Sequence, residues 1–229
     1  MPARGLAELV VGVATLGPEV GAPPGTVRVT GLRSAGGRRS WVVQIPGTQE
    51  WSPVSGADPF DLTGNVHGLA GERTAGGRTV ASALTLAGAQ AGEPVLLVGH
   101  SQGGIVAAQL AGDPAFRRRF SVTHVVTAGS PIATAPVPPS VAVLSLEHDH
   151  DLVPRLAGAA NPDRAGWVTV RAAAEPPGHP PDAALSHEAT GYADTAAAVD
   201  ASPDEGLRRW RAGLEPFVAG DGVTATEIL

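Results

Sequence analysis

The chain has 229 residues, 43% of them hydrophobic and 17% charged, and its net charge of -6 comes from dispersed acids and bases. That balance suits one α/β domain with a sizeable core, and the lack of any basic block argues against nucleic acid as a partner. With no cysteine in the chain, disulfides, thiolate metal sites and a cysteine nucleophile are excluded, and no apolar run reaches the length of a membrane span.

A single domain over residues 1–229 is expected, with 1–25 peripheral or poorly ordered. The apolar segment 9–14 is interrupted by Glu8 and has no small-residue cleavage site after it, so it is not read as a signal peptide and a cytoplasmic protein is expected. Residues 26–30 and 41–45 lean toward strand on either side of Gly36-Gly37 and read as a hairpin leading into a central strand. The exit of that strand, Pro46-Gly47-Thr48-Gln49, is a turn whose N–H groups can face the carboxyl edge of a sheet. Residues 52–75, rich in Gly, Pro, Asp and Asn and without periodicity, read as a long loop. Helical spacing returns over 78–90.

Residues 94–98 form an unbroken apolar strand that stops at Gly99-His100-Ser101-Gln102-Gly103-Gly104 and resumes as a helix over 105–111. Gly-x-Ser-x-Gly in that setting is a nucleophile elbow: the serine takes a strained backbone on a tight turn, and its neighbours two places away must be tiny where strand and helix cross. Further strands are expected at 122–129, 141–147 and 167–170, separated by a Pro-rich turn over 130–140 and the polar cluster His148-Asp149-His150-Asp151. Residues 175–185 read as a loop, and 187–199 and 204–217 as helices, the last capped by Ser202 with Pro203 and Glu205. The fold class is α/β, a mostly parallel sheet with helices on both faces and no large cap.

A serine hydroxyl needs a base to take its proton and a carboxylate to orient that base. The chain order Ser, Asp, His is the order of α/β-hydrolases. For the acid, Asp151 is chosen because Leu152-Val153-Pro154 turns the chain sharply after it; Asp149 is the rival and Glu147 more remote. For the base, His187 is chosen, with His179 as the alternative. The oxyanion needs two N–H donors, one from Gln102, which follows the nucleophile, and one from Thr48 or Gln49. Consecutive residues of the His148–Asp151 cluster cannot all face one ion, so no metal is expected, nor any organic cofactor. His67, His100 and His124 read as structural, and Trp41, Trp51, Trp167 and Tyr192 as core or loop anchors.

Pro46-Gly47-Thr48 with Trp51 and Asp61-Leu62, the elbow, Thr127-Ala128-Gly129-Ser130-Pro131 and Asp151-Leu152-Val153-Pro154 together resemble the class 3 lipases of the α/β-hydrolase superfamily. The resemblance implies an oxyanion residue at Thr48, a nucleophile at Ser101, a triad acid at Asp151 and a base at His187. It departs at Pro46, where an arginine is usual, and over 49–68, which shows no amphipathic lid stripe. The expected activity is cleavage of carboxylic esters through an acyl-enzyme, with acyl thioesters as the alternative substrate and a catalytically silent binding fold as the alternative of another class. The expected ligand is a small acyl ester or thioester, without nucleic acid or stable membrane insertion.

Overall fold

The computed structural model describes residues 2–54, 56–173, 180, 182–218 and 224–228, the last five as backbone alone. A seven-stranded sheet runs in the order β6-β5-β4-β3-β2-β1-β7. Its members are β1 (Arg28–Arg33), β2 (Arg39–Ile45), β3 (Pro94–His100), β4 (Ser121–Ala128), β5 (Ala142–His148), β6 (Trp167–Ala172) and β7 (Thr224–Ile228). Strands β2 to β6 are parallel, while β1 pairs antiparallel with β2 and with β7. Alternation of side chains along each strand divides the apolar residues between two cores. Val95 and Leu97 of β3 enter one core, Leu96 and Val98 the other.

The first core is closed by α3 (Ala75–Leu86), α4 (Gln102–Gly112) and α5 (Pro114–Arg119), through Val80, Leu84, Val106 and Phe116. The second is closed by α1 (Leu6–Ala14), α7 (Ala189–Ala201) and α8 (Glu205–Ala212), through Leu6, Leu9, Tyr192, Val199 and Trp210. Parallel strands covered on both faces explain the near-continuous apolar runs. This is the α/β-hydrolase fold.

Four sequence expectations are corrected. Residues 1–25 are not all peripheral, because Leu6, Leu9, Val10 and Val13 of α1 lie at i, i+3, i+4 and i+7 and are buried, while Glu8 and Val11 take the outer face. Asp200 of α7 accepts the Leu6 and Ala7 N–H groups and so caps α1 from another helix. The loop expected over 52–75 contains α2 (Leu62–Leu69), capped by Asp61, whose side chain accepts the Gly64 N–H. Its buried positions are Gly64 and Gly68, and a Cβ at Gly68 would stand 2.7 Å from Ile105 Cγ2 of α4. A helix that packs through glycine leaves no apolar stripe to read.

The last helix is capped by Asp204 and not Ser202: the Asp204 carboxylate accepts the Leu207 N–H, and the Ser202 hydroxyl accepts the Asp204 N–H one turn earlier. It ends at Ala212. His187 lies between α6 (Ala183–Ser186) and α7 and is not the start of a helix, since it forms the junction where the chain changes direction.

Leu9→Ala is expected to lower stability by about 2–5 kcal/mol in urea unfolding, whereas Val11→Ala should stay within about 0.5 kcal/mol. Equal, small effects at both positions would show that α1 is not part of the core.

Candidate active site

Ser101 is the N-cap of α4, with φ 53° and ψ -121°, and among the described residues it is the only non-glycine with positive φ. The strain is imposed by close packing on both sides of it. A Cβ at Gly99 would stand 2.2 Å from the Gly103 carbonyl carbon, and one at Gly103 would stand 2.2 Å from the Ile45 oxygen. Only glycine permits β3, α4 and the end of β2 to meet there.

His187 Nε2 lies 3.0 Å from Ser101 Oγ and His187 Nδ1 lies 2.7 Å from Asp151 Oδ2. Nδ1 donates to the carboxylate, which leaves the Nε2 lone pair to accept the serine hydroxyl. Gly129, at φ 58°, lets the end of β4 pass beneath this pair, for a Cβ there would fall 2.8 Å from Asp151 Oδ2 and 3.0 Å from His187 Nδ1. Asp151 is 1% exposed. Its Oδ1 accepts the Val153 N–H at 2.8 Å, and its Oδ2 also accepts the Tyr192 hydroxyl at 2.7 Å. Burial alone would push this carboxyl up, but His187, Tyr192 and the Val153 N–H outweigh it and hold it below the ordinary value. Tyr192 is pushed far up by its own burial and by the Asp151 charge, so it donates as a neutral phenol.

The rival acids lie elsewhere. Asp149 is exposed, and Glu147 bonds Asn161 and Arg171 at the sheet edge. His179 lies outside the described residues. The His148–Asp151 cluster splits in two, His148 and Asp151 facing inward and Asp149 and His150 outward. Among the described residues no group of three or more His, Cys, Asp or Glu could hold a metal ion, and no helix is long and apolar enough to cross a membrane.

Opposite the histidine lies the turn after β2. A Cβ at Gly47 would stand 3.3 Å from Ser101 Cβ, so this turn presses against the serine. Thr48 Oγ1 accepts the Asn65 side-chain amide of α2 at 2.8 Å. Gln49 is committed elsewhere, its N–H to Phe60 and its side chain to Gly25 and Leu16. Gln102 begins α4, where an N–H has no partner inside the helix. Its side chain donates to the Asp61 carbonyl at 2.8 Å.

Sequence reasoning missed three residues that touch this constellation: Tyr192, which was read as an anchor, Asn65, which fell in the supposed loop, and His148, whose ring bonds the Ser186 carbonyl at 2.7 Å. None had a local signal, since each meets its partner across the fold. His100, expected to be structural, has its Nε2 2.7 Å from the His187 carbonyl oxygen.

A family model described as the PGAP1-like alpha/beta domain matches residues 79–170. The matched stretch runs from α3 through β6 and includes Ser101 and Asp151, but ends short of His187. It supports an α/β-hydrolase-type protein without singling out the class 3 lipases. No curated protein matches the chain.

Burial, then the neighbouring His187, lower the His100 pKa from 6.5 to about 4. Between those values the unfolded chain binds the proton and the folded protein does not, so His100 stabilises the fold less as pH falls from 6.5 toward 4, with no further loss below. His124, lowered by burial, acts in the same sense. His100→Gln should therefore lose less stability than the native chain when urea unfolding is compared at the two ends of this window. Identical losses would place His100 in contact with solvent.

Proposed function

We propose that the protein is a serine hydrolase that cleaves carboxylic esters through an acyl-enzyme on Ser101. The observation that carries this reading is the unbroken run of hydrogen bonds from Asp151 through His187 to Ser101. The run ends at a strained serine at the carboxyl end of β3, where open α/β sheets place their ligands.

Ser101 Oγ attacks the acyl carbon while His187 Nε2 takes its proton. Asp151 keeps the imidazole in the Nδ1–H tautomer and stabilises the cation that forms. The tetrahedral oxyanion is held by the Gln102 and Thr48 N–H groups at the head of α4, whose dipole favours negative charge. The Asn65 amide occupies a lone pair of Thr48 Oγ1, which leaves the Thr48 hydroxyl proton free to point at the same oxygen. Collapse breaks the ester C–O bond, and His187 returns its proton to the leaving alkoxide. Water, deprotonated by His187, then frees the acid and restores Ser101.

Large apolar side chains are exposed on the segments that carry the site: Trp51 and Val54 after the Thr48 turn, Leu152 and Leu156 after Asp151, and Leu185 before His187. They support an apolar acyl substrate of the class the lipase resemblance implies.

Nitrophenyl esters from short to long acyl chains, with acyl thioesters in parallel, test the reading. Ser101→Ala and His187→Ala should each lower kcat by about 10,000-fold or more, and Asp149→Asn should leave it within about 2-fold. A fluorophosphonate should label the native chain and not Ser101→Ala. Folded protein that neither turns over any ester or thioester nor takes the label would make this a silent binding fold.

Thr48→Val removes the hydroxyl and keeps the N–H. It should lower kcat on the order of 100-fold with little change in KM, because the missing donor acts on charge present only in the transition state. A loss confined to KM would remove Thr48 from the oxyanion site.

A further inference from the structure

We propose that His100 and His148 are positioning residues for the base, each donating a ring N–H to a backbone carbonyl of the turn that carries His187. His148 Nδ1 lies 2.7 Å from the Ser186 oxygen, and His100 Nε2 lies 2.7 Å from the His187 oxygen. Both roles rest on the serine-hydrolase reading above.

The turn needs such partners. Between α6 and α7 the chain leaves the helical path at His187 and Glu188, and there the two imidazoles reach the oxygens of residues 186 and 187. A carbonyl left unpaired in a buried site carries a desolvation penalty of about 1–3 kcal/mol. A carbonyl cannot donate, so the ring nitrogen facing it must carry the proton. This fixes His148 as the Nδ1–H tautomer and His100 as the Nε2–H tautomer. The remaining His148 nitrogen, Nε2, then accepts the Thr195 hydroxyl at 2.8 Å.

Neither ring is free to swing. His148 stacks on Tyr192 with centroids 3.8 Å apart and planes 1° from parallel, and His100 packs on the His187 ring at 4.7 Å. Each imidazole also stands on the strand end that carries one of the base's partners. His100 ends β3 and directly precedes Ser101; His148 ends β5, three residues before Asp151. The backbone of the base is thus tied to the same two strand ends as the nucleophile and the acid, which lets the imidazole hold two hydrogen bonds at once without helical support.

The test exploits side-chain shape. Asn can place its amide N–H where His148 Nδ1–H lies, and Gln can do the same for His100 Nε2–H. His148→Leu and His100→Leu should each lower kcat, normalised to active sites titrated by fluorophosphonate burst, by about 10- to 100-fold with KM within about 2-fold. His148→Asn and His100→Gln should recover most of that loss. A role in stability alone would reduce the number of titrated sites and leave kcat per site unchanged, and that result overturns the proposal. So do amide variants no better than leucine.

Imidazole nitrogen NMR on the native chain gives a readout independent of turnover. It should show the Nδ1–H form for His148 and the Nε2–H form for His100, and the opposite tautomer at either overturns the assignment. If the native chain cleaves no ester while the tautomers are as expected, the serine-hydrolase reading fails and the two backbone hydrogen bonds stand.

Discussion

Everything at the site follows from how closely β3 and α4 cross. With under 3 Å available for a side chain at Gly99 and at Gly103, the chain can turn from strand to helix only if the residue between them takes the backbone that Ser101 takes. That turn sets the serine at the sheet's carboxyl edge, aims the first N–H groups of α4 at the same point, and brings the end of β2 against its side. An added methyl at Gly99 would push β3 off α4, and one at Gly103 would push α4 off the end of β2, so either would part the serine from one of its flanks. Because the cost of the strained residue is distributed over β2, β3 and α4, the surrounding core has to be rigid, and the parallel strands packed on both faces make it so.

The second constraint is a buried carboxylate. Asp151 has almost no access to water, and an ionised group in that state costs several kcal/mol unless it is fully hydrogen-bonded. Three donors meet it: a backbone N–H from its own turn, the Tyr192 phenol from α7 and His187 Nδ1. The result is a carboxylate held in its charged form by three directed donors, the arrangement the proposed triad calls for. Tyr192 joins this carboxylate to His148, whose backbone N–H donates to the phenol oxygen at 3.1 Å. The polar network is therefore continuous from β5 to α7, and satisfied networks of this kind rigidify the core that contains them.

How much of this could be read in the sequence depends on whether the information was local. The central strands were legible because their apolar runs are nearly continuous, whereas β7, whose sequence is Thr-Ala-Thr-Glu-Ile, gives no such run and is absent from the sequence expectations. The elbow was legible because its Gly-x-Ser-x-Gly pattern sits between an apolar strand and a helix, although only Gly99 is dictated by a local contact, with Gly103, while Gly103 is dictated by the distant end of β2. The run from Asp151 to Pro154 nominated an acid because it bends so that the Val153 N–H returns to the carboxylate. Helix α2 was not legible, since its packing face is Gly64 and Gly68 and apolar periodicity cannot register an absent side chain. Helix α1 was misread although Leu6, Leu9, Val10 and Val13 have helical spacing, because its cap, Asp200, lies almost two hundred residues away. The same holds for His148, Tyr192 and Asn65. Their partners are fixed by topology, and only the folded chain brings them together.

Helix α2 also changes what the stretch after the Thr48 turn can be. Within that stretch, α4 holds α2 at both ends: Gln102 donates to the carbonyl of its N-cap Asp61, and Gln109 donates to the Gly68 and Glu72 carbonyls at its other end. Between those anchors Asn65 reaches Thr48. The wall on one side of the serine is thus referenced to α4, and the histidine on the other side is referenced to β3 and β5. On the serine-hydrolase reading proposed above, donors held in this way would need no reorganisation when charge develops on a substrate oxygen, which is the condition under which a hydrogen bond lowers a barrier most. A site built on such fixed references has its geometry set before substrate arrives. On the reading proposed above, the exposed apolar side chains beside it, Trp51, Leu152, Leu156 and Leu185, are then what an acyl chain meets.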